Sequence, residues 1–166
     1  MGKASQKKYL EIVYKEIGTF EELNDIDRKL LDTALQACHK AYAPYSGLHV
    51  GAAVLLEGGL IVAGSNQENA AFPSGLCAER VAIFSASAEY PGRIIEKVLV
   101  VAKDKDGGFR PVTPCGGCRQ VMLEYEYIQS HPVRVLMMNQ EEVFMEFADI
   151  RSLLPMGFNR DQMPEI

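Results

Sequence analysis

Two short segments, Cys77-Ala78-Glu79-Arg80 and Pro114-Cys115-Gly116-Gly117-Cys118, constrain this chain more than any other feature. They supply three thiols and one carboxylate at positions where two helices are predicted to begin. Cys115 and Cys118 stand i, i+3 on an opening helical turn, so one metal ion can reach both sulfurs. Cys77 completes the set from a distant segment, at the head of another helix. The partial positive charge of a helix N-terminus favours thiolate over thiol at both places. Three sulfurs are one short of the closed tetrahedral shell of structural zinc, whereas catalytic zinc keeps one position for water. Glu79, two residues past the first thiol, is placed to move protons on and off that water. Three thiolates also bring excess negative charge, which weakens a Lewis acid. Arg80 and Arg119 follow the two segments closely and are expected to donate hydrogen bonds to the sulfurs.

Two blander readings compete. Free cysteine packs like a small hydrophobe, and a lone CxxC can be a redox pair. The glutamate and the two arginines argue against the first. The Gly-Gly interior, with no aromatic residue before the first cysteine, argues against the second.

Composition narrows the partners. At 166 residues with 48% apolar side chains, the chain is one domain with material for a core. A net charge of −5, with 17 scattered Lys and Arg, argues against nucleic acid and for a small, weakly charged substrate. A structural zinc module or nucleic-acid binder predicts a fourth ligand and a basic face, and the sequence offers neither. No long apolar run or leader-like start is seen, so no membrane is expected. Four cysteines in that setting point to a cytoplasmic protein.

Periodicity predicts a strand over 9–14 and a helix from Asn24 and Asp25, with Ile26, Leu30, Leu31, Ala34, Leu35 and Cys38 on one face. Cys38 reads as a core thiol. Two apolar runs, 49–57 and 60–65, joined by Gly58-Gly59, read as a hairpin. Helices are predicted over 77–88 and 115–127, and strands over 98–102, 133–138 and 143–147, with a short helix over 149–154. The long loop 103–113 carries no predicted element. His39 and His131 read as surface residues and His49 as a neighbour of the pocket. Glu124, Glu126, Glu141 and Glu142 read as solvated. Strands alternating with helices predict a layered α/β domain, with both cysteine segments at strand-loop-helix junctions where ligands gather.

Beyond the cysteine segments, the chain carries Ala41-Tyr-Ala-Pro-Tyr-Ser46, Val50-Gly-Ala-Ala53, Asn66-Gln-Glu-Asn-Ala70, Arg119-Gln120 and Leu153-Leu-Pro155. Together, over residues 41–158, these resemble the small, homotetrameric cytidine deaminases. Zinc deaminases as a class join a non-ligand glutamate to a Pro-Cys-x-x-Cys segment, and the two cysteine segments here have the same form. The resemblance implies a three-layer α/β/α domain with a central mixed five-stranded sheet. It would span residues 25–160, with an N-terminal extension over 1–24 and a tail over 161–166.

It implies one zinc ion per subunit on Cys77, Cys115 and Cys118, and hydrolysis of cytidine and deoxycytidine in pyrimidine salvage. Water would add at C4 of cytosine while Glu79 moves its protons to N3 and the departing amine. Asn66 and Glu68 would read the ribose, and the N–H of Ala78 would meet the pyrimidine carbonyl. Phe72 and Phe158 would reach the sites of neighbouring subunits, making the sites composite. Leu48 departs from the family, which usually has a base-stacking phenylalanine there. Leucine covers the ring but loses aromatic stacking, worth about 1–3 kcal/mol. A negative group at the sugar favours free nucleoside over nucleotide. A related cytosine-containing nucleoside or antibiotic is the alternative substrate.

Overall fold

The structure, a computed structural model, describes residues 5–164. Residues 1–4 of the expected extension and 165–166 of the expected tail lie outside the described residues. Among the described residues the order is β1 (Lys15–Ile17), α1 (Asp25–Cys38), β2 (His49–Leu56), β3 (Ile61–Ser65), α2 (Ala78–Glu89), β4 (Ile95–Lys103), β5 (Phe109–Arg110), α3 (Gly116–Gln129), β6 (Arg134–Met138) and β7 (Phe144–Phe147).

Alternation along β4 sets the layering. Val98, Val100 and Ala102 are buried on one face with Ala82 and Ile83 of α2 and Met122 of α3. Leu99 and Val101 are buried on the other with Leu30, Leu31, Ala34 and Cys38 of α1. A strand with both faces covered reads as a continuous apolar run, and Val98–Ala102 is one. The sheet runs β1-β7-β6-β4-β2-β3, with β5 paired to the end of β4. The β4–β6 pair is parallel and the other pairs are antiparallel, so the sheet is mixed and sandwiched between helical layers.

Several expectations need correction. The sheet has seven strands, because β1 and the two-residue β5 join it at its margins. The strand expected over 9–14 lies at Lys15–Ile17, where β7 offers an edge to pair with. The segment 149–154 forms turns rather than a helix: Asp149 caps a first turn through the N–H and hydroxyl of Ser152, but Pro155 follows and disfavours continuation of a helix through Leu154. Glu126 is 3% exposed, not solvated: its carboxylate accepts the N–H groups of Val133 and Ile150 and meets Arg151 at 3.3 Å. Cys38 is buried as expected and faces the carbonyl of Val101. No helix among the described residues is long and apolar enough to cross a membrane.

One charged group sits in the centre of the α1 layer. Lys97 of β4 is 1% exposed, with its Nζ 2.7 Å from Asp27 Oδ1 of α1 and 2.5 Å from Glu146 Oε1 of β7. The helix, the central strand and an outer strand thus share one ammonium. Removing a single partner of such a pair leaves an uncompensated buried charge. Asp27→Ala is therefore expected to lower unfolding free energy by about 3–5 kcal/mol, whereas Asp25→Ala, exposed in the same helical turn, stays within about 0.5 kcal/mol. Urea denaturation of both variants checks this. Equal costs for the two would remove the special role of Lys97.

Candidate active site

Cys77 and Cys115 occupy the N-cap positions of α2 and α3, and neither spends its side chain capping its helix. Both sulfurs are left free to face one another across the two helix starts. The Sγ atoms of Cys77 and Cys115 are 3.8 Å apart, and those of Cys115 and Cys118 are 3.5 Å apart. All three lie within 4.8 Å of one another, with Cys118 buried, Cys77 half-buried and Cys115 exposed. Three convergent soft sulfur donors fit a zinc ion in the open, three-ligand manner.

Glycine brings α2 this close to the sheet. A Cβ on Gly64 of β3 would lie 2.3 Å from the backbone N of Ala82 and 2.6 Å from the carbonyl O of Ala78. The first turn of α2 therefore rests directly on the β3 backbone. An isolated glycine inside a strand is a sequence signal for such an approach.

The electrostatics favour one early thiolate. The Cys77 thiol is lowered to about 5, first by its interaction with the neighbouring Cys118 thiol, with Arg80 adding to the effect. Cys118 is raised, first by the neighbouring Cys77 sulfur and then by burial. Arg80 places Nη2 3.7 Å from Cys77 Sγ, while its buried Nε has no partner among the described residues. Arg119 differs from expectation. Its Nε and Nη1 donate to the carbonyls of Pro114 and Leu153, each at 2.8 Å, and no sulfur contact is made among the described residues. Its fork satisfies two carbonyls and fixes the loop that delivers Cys115, so its influence on the sulfurs is positional.

Glu79 is 3% exposed, and burial pushes its carboxyl up to about 7. Near neutral pH both its acid and its base forms are therefore accessible, as a proton carrier requires. It lines a cavity of about 580 Å³ together with Leu48, Asn66, Glu68, Phe72, Cys77, Ala78, Arg80 and Cys115. Ala78 opens α2, so by helix geometry its N–H has no intrahelical acceptor.

Asn66 and Glu68 are already engaged with the chain. The Asn66 side chain accepts from Val50 N and donates to the Leu48 carbonyl, tying the start of β2 to the end of β3. Glu68 accepts from the N–H groups of Tyr45 and Ser46 and from the Ser46 hydroxyl, and the Ser46 bond is the main cause of its lowered pKa. Each keeps unused hydrogen-bonding capacity toward the cavity. Sequence reasoning misses Ser46, because its partner lies 22 residues away.

The two aromatic candidates are separated. Phe72 is 74% exposed at the cavity mouth, edge-on to Tyr45. Phe158 is 55% exposed and does not line the cavity; Gln120 holds its backbone through both the carbonyl and the N–H. His49 does not line the cavity either.

Comparison with known proteins places this arrangement. The family profile described as the cytidine and deoxycytidylate deaminase zinc-binding region matches residues 24–133. A cytidine deaminase of Halalkalibacterium halodurans is 40% identical over 139 residues, covering 83% of this chain and 98% of that protein. One of Mycobacterium tuberculosis is 35% identical over 144 residues, covering 84% and 96%. The crystal structure of cytidine deaminase from Burkholderia pseudomallei is similar with a TM-score of 0.66 at 38% identity, covering 79% of this chain and 98% of the other.

Cys115→Ser is expected to lower bound zinc to well under one-tenth of the amount held by the unaltered chain, measured by elemental analysis after dialysis. Retention of full zinc would remove Cys115 from the donor set.

Proposed function

The chain belongs to the cytidine and deoxycytidylate deaminase family, and from that premise we propose how its own residues carry out hydrolysis of cytidine and deoxycytidine to uridine, deoxyuridine and ammonia. The observation that carries the reading is three convergent sulfurs beside a buried carboxylate on one cavity wall. Zinc on Cys77, Cys115 and Cys118 supplies Lewis acidity that makes water a nucleophile near neutral pH.

Glu79 takes a proton from the attacking water as its oxygen bonds to C4, and passes that proton to ring N3. Glu79 then takes the remaining proton from the new C4 hydroxyl and gives it to the C4 amine; the C4–N bond breaks as the C4 carbonyl forms, and ammonia leaves. The Ala78 N–H, free at the head of α2, receives the pyrimidine carbonyl. Asn66 holds the sugar edge of the cavity, and the carboxylate of Glu68 accepts the ribose 3′-hydroxyl. The same carboxylate repels a phosphate placed at the sugar, which favours the free nucleoside. Leu48 covers the pyrimidine face. Arg80 offsets the sulfur charge, and Arg119 fixes the loop before Cys115.

Residues 25–160 form the catalytic domain in this reading, which is a homotetramer with shared sites. The exposure of Phe72 and Phe158, with Phe158 outside its own chain's cavity, supports aromatic side chains reaching neighbouring copies. Four free cysteines support a reducing, cytoplasmic setting and a role in pyrimidine salvage.

Loss of cytidine absorbance on adding purified protein tests the activity. Glu79→Gln is expected to slow turnover by about 10²–10⁴-fold with zinc content unchanged. Near-normal turnover would sink the assignment of Glu79. Glu68→Gln is expected to raise KM for cytidine by about 10-fold or more and to narrow the preference for cytidine over its monophosphate. An unaltered preference would take the carboxylate away from the sugar.

A further inference from the structure

The segment Tyr9-Leu10-Glu11-Ile12-Val13-Tyr14 runs without helix, turn or ladder into β1. Five of these six side chains are apolar or aromatic, yet Tyr9 is 89% exposed, Val13 69%, Leu10 66% and Ile12 51%. The segment precedes the 24–133 family match, so it is a feature of this chain apart from the site.

β1 forms the outer edge of the sheet: β7 pairs with one of its sides and no strand among the described residues pairs with the other. The register that sets Lys15 opposite Glu146 puts Tyr14 beside Phe147, and their rings stack with centroids 5.4 Å apart. Tyr14 thus turns to the α2–α3 face, where Phe147 packs, while Ile17 packs on the α1 face. Strand alternation holds across 14–17, and residues 9–13 run on past the end of β7, exposed and outside any ladder. A long apolar edge of this kind is a template for pairing with another strand.

We propose that residues 9–17 pair antiparallel with the same residues of a second copy, edge to edge, about a two-fold axis at Val13. The same surface serves both partners, as a two-fold interface requires. In this register Val13 faces Val13, Ile12 faces Tyr14, Tyr9 faces Ile17, and Glu11 faces Lys15 twice. Leu10 faces Glu16; the other pairs bring opposite charges or aromatic and β-branched residues together, which are favourable cross-strand pairs. Shifting the register by two residues loses this match. It sets Glu11 against Val13 in a register centred on Ile12, or against Ile17 in one centred on Tyr14. A further shift sets Glu11 against Glu11. The Val13 register pairs the charges nearest the axis, whereas the Ile12 register pairs Lys8 with Glu16 farther out, so reversing Glu11 and Lys15 tests the Val13 register specifically. Each arm then lies as an added outer strand on the partner's β1, and the two sheets become continuous.

The test is particle mass by sedimentation equilibrium for the full chain, for Glu11→Lys, for Lys15→Glu, and for the two substitutions together. Zinc content and circular dichroism serve as folding controls, since both read the single subunit and neither residue touches the zinc-binding sulfurs. Each single change is expected to lower particle mass at least twofold by setting like charges opposite, and the double change to restore it. Unchanged mass in the single variants would overturn the proposal. So would loss in the singles without recovery in the double, because the arm would then dock on some other surface. In the unaltered chain, amide exchange over 9–13 is expected to slow as protein concentration rises. Fast exchange at every concentration would equally overturn it.

Discussion

Three sulfur atoms within 4.8 Å of one another repel as soon as more than one is ionised, and the fold must hold them there before any cation arrives. Two helix starts do this. Cys77 and Cys115 stand at the N-cap positions of α2 and α3, whose apolar faces pack side by side on the same face of the sheet. The glycine contact at residue 64 seats one helix, and Arg119 ties down the loop that leads into the other. The helix dipoles and Arg80 supply positive potential at the cluster. Of the three, the Cys77 sulfur, with Arg80 Nη2 at 3.7 Å, is the one whose thiolate these groups favour. The donor set is preorganised, and binding a dication relieves a repulsion already present.

What is legible in the sequence is local. Asn24 caps α1 through its side chain to Asp27 N, as the residue type suggests. Gly58 and Gly59 both take positive φ in the hairpin turn. The i, i+3 cysteines stand on one helical turn, because that spacing needs no tertiary information. The remainder depends on distant partners. β5 has two residues and exists only because Ala102 and Lys103 offer an edge. Glu126 reads as solvated beside Glu124, but the N–H groups it serves belong to Val133 and Ile150. Lys97 interrupts an apolar strand, and nothing nearby reveals that Asp27, 70 residues earlier, waits for it. Proximity in sequence points Arg119 at the sulfurs, whereas two carbonyls with better geometry claim its fork.

The layer containing Lys97 and the layer containing the sulfurs handle charge in opposite ways. In the α1 layer, one ammonium is matched by two carboxylates and sealed from water. In the α2–α3 layer, negative groups gather at a cavity that opens to solvent. The first arrangement resists change and the second invites a ligand. β4 separates them, with its two faces buried against different helices.

The helix that carries two of the thiols also grips the end of the chain. Along α3, Arg119 holds the Leu153 carbonyl, Gln120 both backbone groups of Phe158, Glu126 the N–H of Ile150 and Tyr127 the carboxylate of Asp161. Ordering of residues 150–161 and loading of the metal are therefore linked equilibria. Whatever steadies one end of α3 lends free energy to the other.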